Sequence, residues 1–323
     1  MTDRLAVPLV SIPPVKKKLN PLALGGSVFG TNQWSGERAT ELLATMEAAL
    51  QNGINHFDTA GGYGDGSSER LLGQFLTGKR ERVFLASKAN IDELDVQAAL
   101  EQVNGSLERL QTDEIDLYYI HWPRQGKDLR PFMEGLEQAR QQGKIKAVGV
   151  SNFSVEQMAQ VAEVGQIDAH QLCYSLLWRF AEQEIMPYCR EHGIAVVTYS
   201  SIAQGVLTGK FPRQPKLEPD DLRANTVHFD PAVWPHVYEA VEELKVLAQE
   251  VKRPLTHLAI RWVLHQEDVN TALVGARKPE QVTRNVEALA GEIPARVFEK
   301  MTEISNAAIK HIPDTGNMYR YYP

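Results

Sequence analysis

Eight apolar, strand-like runs alternating with helical patterns predict a (β/α)8 TIM barrel rather than an open doubly wound sheet. Two further observations bear on that prediction. The alternation runs from Leu22 to Val274 with no linker and no internal repeat, so one domain is expected over residues 1–323. Three of the runs close on an ionisable residue, Asp58, Lys88 or His121, at equivalent strand ends. A barrel of this kind carries its chemistry at the carboxyl ends of its strands.

The elements follow in order. Residues 1–20 contain three prolines and alternate weakly, so Leu5-Ala6-Val7 and Val15-Lys16-Lys17 are expected to form a short N-terminal β-hairpin. Leu22–Gly26 opens the barrel. Leu42, Leu43, Met46, Ala49 and Leu50 recur at helical spacing within Arg38–Gln51, and Gly53 stops that helix. Ile54–Phe57 is the second strand and leads into Asp58. A helix over Ser67–Leu76 ends at Gly78, the strand Val83–Ser87 follows, and Val96–Leu110 is the next helix. Leu117–Ile120 is the fourth strand, followed by a helix over Pro131–Gln142 with proline at its start and Gly143 at its stop. Ala147–Val150 is the fifth strand, and Ser154 with Gln157 has capping-box spacing for the helix beyond it.

Ala169–Leu172 is the sixth strand, Glu182–His192 a helix stopped by Gly193, and Ile194–Tyr199 the seventh strand. The stretch Ser200–Pro235, rich in Pro, Asp and Arg, is longer than an ordinary connection. Helices at Val237–Glu250 and Leu255–His265 lead to the eighth strand, Thr271–Val274. Pro279–Leu289 and an extra C-terminal helix, Ala295–Asn306, complete the fold, and the tail from Asp314 carries three tyrosines.

Composition narrows the function. Lys plus Arg number 34 against 41 Asp plus Glu, a net charge of −7, which argues against nucleic acid or an acidic membrane as partner. No run approaches the roughly 18 apolar residues of a spanning helix, and no secretory signal is evident. Cys173 and Cys189 form neither a metal-ligand nor a redox pair by spacing, and a reducing cytoplasm is the simplest expectation.

The stretch Asn55–Gly64 gathers the strongest signal. Asp58 sits at a strand end, and Tyr63 lies on the glycine-rich turn that follows. Alone, this pair reads as a capping aspartate beside a loop tyrosine. A lone lysine after a strand is usually solvated, and a lone histidine is usually a satisfied core residue. Three such residues at three strand ends, beside a tyrosine, are hard to explain as accidents. His56 shares a strand face with Asp58, and with His121 and His170 it could suggest a metal-dependent barrel hydrolase. That alternative leaves Tyr63 and Lys88 idle. Nucleotide fingerprints are absent. Gly61–Gly66 does not fit G-x-G-x-x-G, and Gly205–Lys210 is one residue short of a P-loop. The latter loop does follow the seventh strand, where barrels often bind phosphate.

Taken together, Asp58-Thr59-Ala60 with Tyr63-Gly64, Ser87-Lys88, His121-Trp122, Gly149–Phe153, Gln171–Ser175, Tyr199-Ser200 with Gly205–Lys210, and Gly275-Ala276-Arg277 with Gln281 and Asn285 resemble the aldo-keto reductase superfamily. These pieces occur in family order over nearly the whole chain. The resemblance implies a barrel that binds NADP(H) without a Rossmann fingerprint and reduces a small-molecule carbonyl substrate. Tyr63 would donate the proton, Lys88 would lower its pKa, Asp58 would hold Lys88, and His121 would orient the carbonyl oxygen.

By the same resemblance Ser151, Asn152 and Gln171 would hold the nicotinamide carboxamide, and Tyr199 would stack on its ring. Leu207, Gly209 and Lys210 would meet the pyrophosphate, and Ser200 and Gly205 are expected to bind the cofactor with them. Gly275, Arg277, Lys278, Gln281 and Asn285 would meet the adenosine end, where two cations favour NADP(H), mildly because Gln281 stands where many members carry arginine. Trp34, Trp122 and Arg124 are expected to line the substrate site with the Ser200–Pro235 stretch. A cofactor-binding redox sensor or channel-associated subunit is the alternative that keeps the barrel. No metal is expected.

Overall fold

The computed structural model describes residues 7–30, 36–91, 93–218 and 221–320. Strands β1 (Val10–Ile12) and β2 (Val15–Leu19) form an antiparallel hairpin that pairs Ile12 with Val15 and Val10 with Leu19. Its first strand lies later in the chain than expected. Val7 is in a bend, and Leu5 and Ala6 lie outside the described residues. The prolines at 8, 13 and 14 blur the alternation there, since proline supplies no ladder N–H.

From the hairpin the chain enters the barrel with β3 (Leu22–Gly25), α1 (Gly36–Gln51), β4 (His56–Asp58), α2 (Ser67–Leu76), β5 (Phe84–Ala89) and α3 (Val96–Leu110). It continues with β6 (Ile115–Ile120), α4 (Arg130–Gln141), β7 (Ile145–Ser151), α5 (Val155–Ala162), β8 (Ala169–Cys173) and α6 (Ile185–Glu191). Then come β9 (Ala195–Tyr199), α7 (Trp234–Glu250), α8 (Leu255–His265), β10 (Val269–Gly275), α9 (Pro279–Glu287) and the C-terminal α10 (Ala295–Ile309). The eight parallel strands close in the order β10-β3-β4-β5-β6-β7-β8-β9, a (β/α)8 barrel. The capping box expected before α5 is present, with Ser154 Oγ accepting from Gln157 N and Gln157 returning its amide oxygen to Ser154 N.

Strand periodicity sorts the side chains. Phe57 points out of the barrel, its ring 5.2 Å from that of Phe75 on α2. One apolar cluster fills the inside, with Phe84, Leu117, Tyr119 and Val197 filling it against alanines 86, 147, 169 and 195. Ile12, Val15 and Leu19 belong to the same cluster, so the hairpin plugs the amino-terminal end. Following each inward series up its strand leads to polar groups at the opposite end. Ala86 is succeeded by Lys88, Leu117 and Tyr119 by His121, Ala147 and Gly149 by Ser151, Ala169 by Gln171, and Val197 by Tyr199.

The Ser200–Pro235 stretch is short-helical and packed rather than wholly irregular. It contains 3-10 turns at Ala203–Thr208, Leu222–Asn225 and Val227–Phe229. Phe229 stacks on Trp234 at 4.8 Å, and Trp234 Nε1 donates to the Arg213 carbonyl at 2.9 Å. That anchoring starts α7 at Trp234, one turn before the expected Val237.

Candidate active site

Lys88 is fully buried, and its Nζ donates to Asp58 Oδ1 and to the Thr59 carbonyl at 2.7 Å. From across the barrel, Gln171 Nε2 donates to the second Asp58 oxygen at 2.8 Å. Both carboxylate oxygens are thus engaged, which fixes the aspartate and aims the ammonium. The turn after β4 brings Tyr63 over this pair. Tyr63 N bonds Ala60 O at 3.1 Å, and Gly61 N bonds the Lys88 carbonyl at 3.1 Å. Gly30 lies so close to the turn that a Cβ there would sit 2.5 Å from the Tyr63 carbonyl carbon. Only glycine fits against that backbone.

Lys88 Nζ is 5.1 Å from the centre of the Tyr63 ring, and the His121 ring meets Tyr63 edge-on at 5.5 Å. Asp58, Tyr63, Lys88 and His121 therefore form one cluster. Burial raises the Tyr63 phenol above its ordinary range, and Lys88 pulls the other way. The lowering by Lys88 is present as expected, but loss of solvent outweighs the pull of the ammonium and the net direction is upward. Burial also opposes the charge on Lys88, but the Asp58 carboxylate and Tyr63 outweigh it and hold the ammonium above the usual lysine range. Burial and the nearby Lys88 bring His121 down to about 3, leaving a neutral imidazole at pH 7.

The residues expected at the cofactor lie on the neighbouring strand ends. Asn152 is held in the left-handed region at φ +62°. Its Nδ2 donates to Ser151 Oγ at 3.0 Å, and its Oδ1 accepts from Tyr199 Oη at 2.7 Å. Ser151 Oγ donates to the Gln171 carbonyl at 3.0 Å. One polar network thus runs from Asp58 through Gln171 to Tyr199.

After β9, Ser200, Ala203, Gln204, Gly205 and Gly209 all have positive φ, between +48° and +88°. Three of these five residues, Ser200, Ala203 and Gln204, are not glycine, and backbone strain of that kind clusters at ligand-binding turns. Leu207 is fully buried and its N–H bonds the Ile202 carbonyl at 3.2 Å, whereas Lys210 is exposed. Gly275 ends β10, and Arg277 and Lys278 are exposed before α9. Gln281 accepts from the Arg277 N–H at 2.7 Å, and Lys278 Nζ lies 3.8 Å from Glu41 Oε1. Asn285 is half-buried one turn further along α9.

Of the substrate-site expectations, Trp34 lies outside the described residues and Trp122 is half-buried beside His121. Arg124 donates through Nε and Nη2 to the Ile91 carbonyl, which makes it a brace for the loop after β5. Tyr319 was not anticipated. Its hydroxyl lies 3.2 Å from Ser200 Oγ and receives Gln204 Nε2 at 2.5 Å. The tyrosine-bearing tail is therefore tied to the strained loop, a contact between residues 115 apart that leaves no local trace in the sequence.

The residues of the metal alternative do not converge. His56 packs edge-on against Phe84 at 4.7 Å. The Nε2 of His170 accepts from Phe153 N at 3.2 Å and its Nδ1 faces Cys189 Sγ at 3.8 Å, away from Asp58. A recess of about 720 Å³ at the amino-terminal end of the barrel is lined by Lys17, Lys146, Glu114 and Asp116, whose charges already pair with one another.

The Aldo/keto reductase family model matches residues 21–306. The chain is 37% identical over 272 residues to the aldo-keto reductase YhdN of Bacillus subtilis (strain 168), covering 81% of this chain and 82% of that protein. It is 33% identical over 312 residues to an Escherichia coli (strain K12) protein named NADH-specific methylglyoxal reductase, covering 88% and 95%. Among solved structures, a glycerol dehydrogenase of Gluconobacter oxydans has a TM-score of 0.86 at 33% identity, over 96% of this chain and 98% of that one.

Proposed function

The chain belongs to the aldo/keto reductase family, and from that premise we propose that it reduces aldehydes or ketones to alcohols with NADPH, Tyr63 supplying the proton. Family membership makes it an oxidoreductase acting on carbonyls with a nicotinamide cofactor. The observation that carries the residue assignment is the Tyr63 ring lying close to both Lys88 and His121, with Lys88 fixed by a doubly engaged Asp58.

The residues at the β7, β8 and β9 ends suit a nicotinamide cofactor. Asn152 and Ser151 offer amide and hydroxyl groups to a carboxamide, and Tyr199 offers a flat face beside them. The left-handed residues between Ser200 and Gly209 fold the segment after β9 into tight turns, and the exposed Lys210 adds a cation for a diphosphate. The cofactor supplies hydride to the carbonyl carbon. The chain supplies everything needed at the oxygen. Tyr63 is protonated at neutral pH, the state a proton donor needs. Lys88, charged and immobile, stabilises the phenolate left behind. His121, neutral, can hydrogen-bond the carbonyl oxygen without introducing a competing cation.

The phosphate-bearing cofactor is favoured by Arg277 and Lys278 at the start of α9. The E. coli relative is named NADH-specific, so the preference rests on this chain's own two cations. Incubation with NADPH and a panel of aldehydes, followed at the nicotinamide absorbance, tests the activity. Tyr63→Phe should lower kcat by at least about a thousandfold while cofactor affinity stays within about twofold. Near-normal turnover by that variant would remove Tyr63 from the mechanism.

A further inference from the structure

We propose that Glu69 and Arg109, which lie outside the cluster of Asp58, Tyr63, Lys88 and His121, are positioning residues that set the distance between Tyr63 and Lys88. The proposal rests on reading Tyr63 as the proton donor. Glu69 is in the first turn of α2 and is fully buried. Its Oε1 accepts from Ser87 Oγ at 2.5 Å, and its Oε2 accepts from Arg109 Nε at 2.5 Å. Ser87 immediately precedes Lys88 on β5 and faces outward where Lys88 faces in. One carboxylate therefore joins the strand of the lysine to α3, where Arg109 resides.

Arg109 in turn underlies the tyrosine turn. A Cβ on Gly61 would lie 3.1 Å from Arg109 Nη2, and one on Gly66 would collide with Arg109 Cδ. Gly61 and Gly66 flank Tyr63 on either side, so both ends of its turn rest on one guanidinium. Arg109 Nη2 also donates to Ser106 Oγ at 3.3 Å, and Ser106 contacts Tyr118 Oη at 2.9 Å, which seats the arginine on the barrel wall. The N-cap of α2 is Gly66, with no side chain to offer the exposed helix amides. An anion in the first turn compensates for that end. A buried carboxylate is costly unless paired and hydrogen-bonded, and every partner found here belongs to the scaffold of Tyr63 or Lys88.

Glu69→Gln keeps the shape and an acceptor for Ser87 but removes the charge that orients Arg109. We expect kcat to fall about tenfold and cofactor dissociation constants to stay within about twofold. The alkaline limb of the kcat profile should move to higher pH. Lys88 holds the phenol down, and a phenol displaced from it titrates later. A role in stability alone would lower the active fraction and leave the limb in place. Ser87→Ala should shift the limb in the same direction by a smaller amount, and it decides the matter if Glu69→Gln loses its near-ultraviolet circular dichroism. An unmoved limb in the folded variant, or cofactor affinity lost by the same factor as kcat, overturns the proposal. Tyr63→Phe is assayed in parallel. If it stays active, the donor reading and this proposal both fall. If it is inactive while the limb is unmoved in the folded glutamine variant, only this proposal falls.

Discussion

Four histidines, at 56, 121, 170 and 228, are held neutral in this fold, and their depressed pKa values make a statement about stability. Burial is the first cause at each, and at His56 it acts with Lys88 to bring the ring down to about 3. The unfolded chain protonates such a ring near 6.5. Between those values the unfolded state binds a proton that the folded state does not, so stability is retained above about pH 6.5 and is lost as pH falls toward 3. At pH 5 one such histidine costs roughly 2 kcal/mol. His56 is the informative case, because neither of its ring nitrogens has a hydrogen-bond partner among the described residues. His56→Leu should leave stability at pH 7 equal or higher, since no bond is broken and a polar group leaves an apolar site. It should also shrink the loss between pH 7 and pH 5 by roughly 2 kcal/mol, measured by urea unfolding at both values. An identical loss in variant and parent would mean that His56 is protonated or hydrated in the native state. At this scale the sequence was most informative where a polar residue ended an apolar run, as with Asp58, Lys88 and His121. It was silent on Gln171 reaching Asp58 across 113 residues and on the Glu69–Arg109 pair, because side-chain contacts between separate strands and helices have no spacing to read.

The hairpin shows how an element outside the barrel supports it. Ile12, Val15 and Leu19 pack with Phe84 and Leu117, and Lys17 Nζ donates to the Val83 carbonyl at 2.5 Å, just before β5. These contacts close the end of the barrel away from Tyr63. Ile12 is fully buried, so Ile12→Ala loses transferred apolar area and leaves a gap at a site bounded by rigid strands. A destabilisation of roughly 2–4 kcal/mol is expected, with kcat and KM unchanged for the folded fraction. Chemical denaturation alongside steady-state kinetics checks this. A large fall in kcat with little change in stability would show that the plug communicates with the site. The barrel strands and most helices were legible as elements, because apolar runs, glycine stops and the Ser154–Gln157 box are local signals. The first hairpin strand and the start of α7 were not. Prolines obscure the former, and the latter is extended by Trp234, whose place depends on Phe229 and on the Arg213 carbonyl.

Over the whole molecule, an anionic chain must bind an anionic cofactor. The net charge is −7, yet Lys210, Arg277 and Lys278 stand exposed at the ends of β9 and β10. At about 0.1 M salt the screening length is roughly 10 Å, so distant carboxylates contribute little and the adjacent cations dominate. The two cations before α9 are not equivalent. Lys278 lies 3.8 Å from Glu41, which offsets part of its charge, whereas the Arg277 backbone is pinned by Gln281 and its side chain is exposed. A guanidinium presents a planar fork to a phosphate, and the positive end of the α9 dipole adds to it. We therefore expect Arg277→Ala to weaken NADPH binding about tenfold, the lower end for a charge-assisted contact because the site is open to solvent. NADH binding should barely change, because the 2′-hydroxyl offers no charge to lose. Lys278→Ala should have the smaller effect, since part of what it removes is an attraction to Glu41. Raising salt from about 0.05 to 0.5 M should narrow the NADPH–NADH gap in the parent and leave little gap to narrow in Arg277→Ala. Fluorescence titration of both cofactors at the two salt concentrations measures all of these quantities. Equal dissociation constants for NADPH and NADH in the parent at low salt would show that this loop does not read the 2′-phosphate, and would align the chain with the NADH-specific naming of its E. coli relative.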